Sequence, residues 1–512
     1  MSSKLRVAAV AFCVCATLSL TTNMFAEGDL HKVHHIIIVM QENHSFDNYF
    51  GVLPYAPGTP YHSARGACAK NDHKCVDGLS CTADASGNLT CSNANFDDNG
   101  STVVAFHATS RCVKPDLDHS WIGTHREVNF DNPNATLLRA VSNGFVRVND
   151  ATEQTDSGES ATEDQTMSYY DHNDLAFYYG LAENFAISDR QFASVLGPTF
   201  PNRSYLMAAT SFGHLTTNDS FPPPGGYKPI TGTIFDLLDQ NGVSWADYFQ
   251  DAPQSGSFRP TDPHNQPLTV FLAEAAGVGS LPQVSFVDPN FGLAGRSLEN
   301  DEHPPTDIQR GQFYVSQVIN AVRNGPFWKD SIIFLTYDEH GGFYDHAKPA
   351  KAPQGGSPNP DGINPGQCED LSNPPASEQP GGGAECAVNP FSTTDTSVAD
   401  AEALCPALAN DPTGPYPASC ANFDQLGVRV PLIAISPFSK PAYVSHRVGE
   451  HTSLLALIEK RFLETNGQRL HLTLRDQQAN SLEDMFDFET SPSMNTTVGV
   501  ASPPADDCTP IP

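Results

Sequence analysis

The chain has 512 residues, with 59 Asp and Glu against 28 Lys and Arg, for a formal net charge of −31. With 39% hydrophobic residues it can fill a sizeable core, which excludes wholesale disorder. A field this negative, with no basic cluster to offset it, excludes a general nucleic-acid binder and disfavours anionic membranes, so phosphate chemistry here needs a local positive centre such as a metal ion.

Residues 1–26 read as a secretory signal peptide, with Lys4 and Arg6 ahead of an apolar Val7–Leu20 core and Ala26 at its end. The alternative is a membrane anchor, for which that core is short against the roughly 20 residues of a span. A secreted or periplasmic protein is expected. Val33–Met40 is the first expected strand and runs straight into Gln41-Glu42-Asn43-His44-Ser45-Phe46-Asp47. Gly51–Lys114 holds Cys68, Cys75, Cys81, Cys91 and Cys112 among many Gly, Asn and Asp residues, the composition of a disulfide-tied insertion. Further strands are expected at Asn184–Ser188, Gln283–Val287, Ser331–Tyr337 and Val428–Ile435, and helices at Ile234–Asn241, Ile308–Arg323 and Thr452–Leu463. Lys348–Asp424, with Cys368, Cys386, Cys405 and Cys420, reads as a second insertion, and 491–512 as a loosely held tail that Cys508 could tether. No cysteine spacing matches a zinc site; disulfides are expected, with connectivity open. Apolar runs alternating with helical patterns give an α/β class, one domain over 27–490 with a parallel sheet covered on both faces.

In open α/β sheets ligands bind beyond the carboxyl ends of the strands. Two strand ends here deliver adjacent oxygen donors, Glu42-Asn43 and Asp338-Glu339, which suit a hard divalent ion such as Ca²⁺, Mg²⁺ or Mn²⁺. Either pair alone could be no more than a helix cap or a turn. Leu196–Tyr205 leads into a helix and puts Thr199 at or just before its N-terminus, where unpaired N–H groups stabilise an ionised hydroxyl or a phosphoryl group. The alternative for Thr199 is a plain N-cap. His119, His264 and His303 lie in polar loops that could turn toward a shared site or stay solvated, and His340 and His346 follow the acidic strand end closely enough to support its ligands. There is no H-E-x-x-H, G-x-S-x-G, dinucleotide fingerprint or P-loop.

Four ordered segments carry a resemblance: Glu42–Gly51, Pro198–Arg203, Asn300–Pro304 and Tyr337–His346. They resemble the signature segments of the phosphoesterase family, which contains bacterial phospholipases C, plant non-specific phospholipases C and a secreted acid phosphatase. The match runs from about His34 to about Phe462, apart from the two insertions. The resemblance implies an alkaline-phosphatase-like three-layer α/β/α sandwich with a mostly parallel central sheet and one divalent metal. It implies Glu42, Asn43, Asp338 and Glu339 as ligands, joined by Thr199 as nucleophile, and His119 and His303 as phosphate-contacting or proton-transferring groups; His264 corresponds too, although its flanks match poorly. His44 stands where many relatives have Arg, and the acid phosphatase has Ser where Thr199 stands. The implied activity is that of a secreted metal-dependent phospholipase C working through a phosphothreonine, on a phospholipid or a small phosphate ester, with at most transient membrane-surface contact. The alternatives are an acid phosphatase on soluble monoesters and, from another class, a non-catalytic calcium-binding surface protein.

Overall fold

Strand β1 (His35–Gln41) is apolar toward both sides, as a strand covered on both faces must be: Ile37 and Val39 enter one core, Ile36, Ile38 and Met40 the other. The computed structural model that shows this describes residues 29–503 apart from 65, 98, 115, 132–140, 157–164, 213, 215–216, 218–224, 294, 296–297, 354–422, 424 and 495–497. With β2 (Ala186–Ser188), β3 (Trp245–Phe249), β4 (Asn265–Pro267), β5 (Val284–Val287), β6 (Ser331–Tyr337), β7 (Leu432–Ile435) and β8 (Tyr443–Ser445), β1 forms an eight-stranded sheet in the order β4-β3-β5-β1-β6-β7-β2-β8. Its pairings are parallel except those of β7 with β6 and β2.

The α-helices among the described residues are α1 (Phe46–Phe50), α2 (Trp121–Val128), α3 (Phe145–Asp156), α4 (Ala176–Asn184), α5 (Thr199–Ala208), α6 (Ile234–Gln240), α7 (Leu268–Ala275), α8 (Ile308–Arg323), α9 (His451–Phe462) and α10 (Leu474–Gln478). Leu181 of α4, Phe271 of α7 and Val315 and Val318 of α8 pack on one face; Leu206 of α5, Phe235 of α6 and Leu454 and Ile458 of α9 pack on the other. Each such side chain stabilises by about 1.5–3 kcal/mol on burial. This is the α/β/α sandwich the sequence led us to expect. Among the described residues no helix is long and apolar enough to cross a membrane.

Some boundaries differ, for local reasons. The expected Val428–Ile435 strand shortens to Leu432–Ile435 behind Pro431, which has no N–H to give the ladder. Strand β3 escaped notice because Asp247 interrupts its apolar run, and β4 and β8 are three residues long. Helix α9 starts at His451 and is capped by Glu450, whose carboxylate accepts from Thr452 N at 2.9 Å.

The 51–114 insertion carries the disulfides Cys68–Cys75 and Cys81–Cys91, and Cys112 is disulfide-bonded too. His73 bonds the insertion to Val444 of β8, accepting through its carbonyl from Val444 N at 3.0 Å, and a buried guanidinium holds it as well. Arg429 donates to Asp345 Oδ1 (2.9 Å), Asp47 Oδ1 (3.1 Å) and the Asp77 carbonyl (2.7 Å), while His346 bridges Asp47 (2.7 Å) and Asp77 (3.3 Å). The expected signal peptide, most of the second insertion and Cys508 lie outside the described residues. In the tail, Ser493 N donates to the Pro437 carbonyl at 2.7 Å and Ala501 is buried in the core.

Candidate active site

Strands β1 and β6 end level, Gln41 opposite Tyr337, so Glu42 and Asp338 emerge side by side at one sheet edge. Both face a buried guanidinium: Arg203 Nη2 lies 3.0 Å from Glu42 Oε1 and Arg203 Nε lies 3.3 Å from Asp338 Oδ2. Asn43 follows in the left-handed conformation (φ 64°), which asparagine tolerates. That turn lets Asn43 N donate to Asp338 Oδ1 (3.3 Å), which also accepts from Glu339 N (2.7 Å). Burial foremost pushes the Asp338 carboxyl up to about 7; Arg203 opposes the shift, and Glu42 and Glu339 add to it. Burial would raise Glu339 as well, but His119 and His340 hold it below the usual carboxylate range.

Two glycines let a distant loop close on this edge. Gly341 and Gly342 both have positive φ (61° and 74°). A Cβ on Gly341 would stand 2.2 Å from the Asn43 carbonyl oxygen, and one on Gly342 would stand 2.5 Å from Leu117 Cβ. The loop so admitted carries the largely buried His119, whose Nδ1 donates to the Leu117 carbonyl at 2.8 Å. His303 is held in the same way by the Pro304 carbonyl at 2.7 Å, and the two rings meet edge-on with centroids 5.8 Å apart. Each imidazole therefore keeps Nε2 off the backbone. Asp116 lies 3.8 Å from both. Burial would lower His119, yet Glu339 and Asp116 hold it up at about 10, so it is cationic at neutral pH.

Pro198 holds the cap position of α5, Thr217 Oγ1 accepts from Phe200 N at 3.1 Å, and Thr199 is the first residue of the helix. Its hydroxyl is thus not spent as an N-cap, and Thr199 is half-buried. Asn202 fixes the approach, accepting from Val195 N (3.0 Å) and donating to the Gly197 carbonyl (2.8 Å). Arg203 sits one helical turn beyond Thr199, on the same face. The helix that presents the hydroxyl therefore also grips Glu42 and Asp338.

The donor set fits a hard divalent cation. Asn43 Oδ1 and Glu339 Oε1 are buried with no hydrogen-bond partner. Three carboxylates at 42, 338 and 339 face two cations, Arg203 and His119, and an orphaned buried oxygen is costly unless something positive meets it.

Not every expected residue arrives. His264 stacks on Trp245 with centroids 4.3 Å apart and bonds Asp262 at 2.6 Å. Trp245 is level with Val284 and hence with Ile36, five residues short of Gln41, roughly 16 Å of strand from the site edge. His264 lies where strands begin, because its loop leads into β4. His346 belongs to the Arg429 network. His340 supports the site: it lies 2.7 Å from Glu127 and 3.3 Å from Glu339, and these carboxylates hold it up at about 9 against burial. His44 is sandwiched between Tyr49 and Phe343 and bonds Asn48.

Several contributors were not singled out from the sequence. Arg203 stood in view, four residues after Thr199, as a possible same-face partner. Glu302 (φ 76°) accepts from Tyr49 (2.5 Å), Tyr178 (2.5 Å) and Tyr337 (2.6 Å), anchoring the turn between Asp301 and His303. Burial foremost pushes Glu302 up to about 7. Glu127 gave no local signal, since its partner His340 is 213 residues away.

A family model described as the Phosphoesterase family matches residues 33–463. Non-specific phospholipase C1 of Arabidopsis thaliana is 30% identical over 471 residues, covering 89% of this chain and 71% of that protein. Phospholipase C B of Mycobacterium tuberculosis is 28% identical over 496 residues, covering 91% and 80%. Among solved structures, human ectonucleotide pyrophosphatase/phosphodiesterase 5 aligns with a TM-score of 0.28 at 10% identity, over 60% of this chain and 94% of that one, a likeness too distant to bear on function.

Proposed function

This chain belongs to the phosphoesterase family and is a phosphoric ester hydrolase, and we propose that it is an exported phospholipase C that cleaves head-group phosphodiesters through a phosphothreonine at Thr199. The observation that carries the reading is Thr199, a helix's first residue and not its N-cap, one turn from Arg203, which binds the two acidic strand ends. The phospholipase names of the relatives favour a diester over a monoester.

Glu42, Asn43, Asp338 and Glu339, with Thr199, would hold one divalent ion. Such an ion lowers the pKa of a bound hydroxyl and screens the phosphate from a strongly acidic protein. The Thr199 N–H, at the start of α5, meets the substrate's phosphate, while Phe200 N is held by Thr217 and Pro201 has no N–H to give. Thr199 Oγ gives up its proton to solvent and attacks phosphorus, and the P–O bond to the diacylglycerol breaks. His303 protonates that leaving oxygen, and His119 holds a non-bridging oxygen. Water then attacks phosphorus, giving its proton to His303, and the P–O bond to Thr199 breaks, so that Thr199 Oγ regains a proton from solvent and the phosphorylated head group leaves. The test compares phosphatidylcholine, a chromogenic diester and a chromogenic monoester side by side, with acid quenching to trap a phosphorylated peptide. A preference for the monoester would make the protein a phosphatase; a trapped phosphate on any residue but Thr199 would overturn the mechanism.

A further inference from the structure

Between β5 and His303 the chain leaves the site edge and returns to it. The neck is closed where Asn290 N donates to Asn300 Oδ1 (2.7 Å) and Asn300 N to the Asn290 carbonyl (3.0 Å). One residue later the Asp301 carbonyl accepts from Glu42 N at 2.8 Å, so this neck stands on the metal-ligand pair itself. The first turn of the loop is ordered by Asp251, whose two oxygens accept from Phe291 N (3.1 Å) and Leu293 N (3.0 Å). Phe291 turns inward, with the Arg203 guanidinium 5.1 Å from its ring. Leu293 and Leu298 turn outward, 73% and 61% exposed, and Leu293 is the most exposed large apolar side chain among the described residues. Ile230, half-exposed, precedes α6, which starts at this same edge because it runs back to enter β3.

An exposed leucine alone is ordinary, but two on one loop with a hydrogen-bonded base, rooted in the site, are a surface with a direction. We propose that Leu293 and Leu298 form an apolar tip that enters the acyl region of a phospholipid surface and so delivers the head group to the edge bearing Thr199. The inference rests on the phospholipase C reading above. The occupant is a zwitterionic bilayer: with a net charge of −31 the protein gains nothing from anionic lipid, and apolar insertion is what remains to hold it there.

The experiment uses the full mature protein, a Leu293→Ser/Leu298→Ser double variant and a Val278→Ser control. Val278 is 72% exposed but precedes β5, at the opposite edge of the sheet. Sedimentation with phosphatidylcholine vesicles is read beside turnover of the vesicles and of nitrophenylphosphocholine, a water-soluble diester. The double variant is expected to lose about 10–100-fold in vesicle binding and vesicle turnover while keeping its rate on the soluble diester, and the control to change neither. A double variant that sediments like the wild type, or a wild type that does not sediment at all, overturns the proposal. So does a wild-type dimer that the double variant dissociates, because the leucines would then serve self-association. A wild type that sediments with vesicles yet leaves their lipid intact keeps the surface and refutes the phospholipase reading instead.

Discussion

Thr199 and Arg203 occupy successive turns of one helix, so the proposed nucleophile and the proposed ligand cradle are tied together. Thr199→Ala should lower turnover by at least about 10³-fold with the thermal midpoint unchanged, whereas Thr199→Ser should keep activity because the attacking atom remains. Near-parental turnover of the alanine variant would remove Thr199 from the chemistry. His303 makes a sharper prediction. If it protonates the leaving oxygen, His303→Ala should lose about 10²–10⁴-fold on an alkyl or lipid ester but far less on a nitrophenyl ester, provided phosphoenzyme formation limits both. Equal losses would mean it only holds the phosphate.

At the scale of elements, the level ends of β1 and β6 make the cradle a property of strand register. Asp338→Asn and Glu42→Gln should each lower divalent-metal content in purified protein, as elemental analysis would report; full occupancy in both would assign the strand ends another role. The strands and helices whose apolar pattern runs unbroken, β1, β6 and α8, were legible in the sequence nearly to the residue, and so were the acidic residues that end two of them. What stayed hidden was set by contacts across the chain. His264 was misleading because a polar loop says nothing about which sheet edge it borders. Glu127 and the three tyrosines around Glu302 could not be read because no local pattern ties them to the site. The Arg429 network yields a pH prediction. Burial would lower His346, but Asp47 and Asp77 hold it up at about 10, above its ordinary 6.5. Its contribution to stability is therefore full below about pH 6.5 and is lost as the pH rises through about 10. The thermal midpoint should fall by several degrees between pH 7 and 10, and His346→Gln should flatten that slope.

For the whole molecule, none of the four cysteines in the two paired disulfides among the described residues lies in a strand of the central sheet. Reduction should therefore loosen the insertion, with a loss of activity, and leave most of the far-ultraviolet circular dichroism in place. A free-thiol count near ten in the native, mature protein would exclude this. The sheet order has a consequence of another kind. Strand β1 lies at its centre, yet its neighbours begin at Val284 and Ser331, and Asn43 meets Asp338 across 295 residues of sequence. A chain made from its N-terminus carries this apolar strand unpaired until β5 has been made, open to wrong partners and dependent on whatever shields it. Half the proposed cradle is among the first parts made and the other half arrives hundreds of residues later, so a fragment ending before β6 is expected to be inactive.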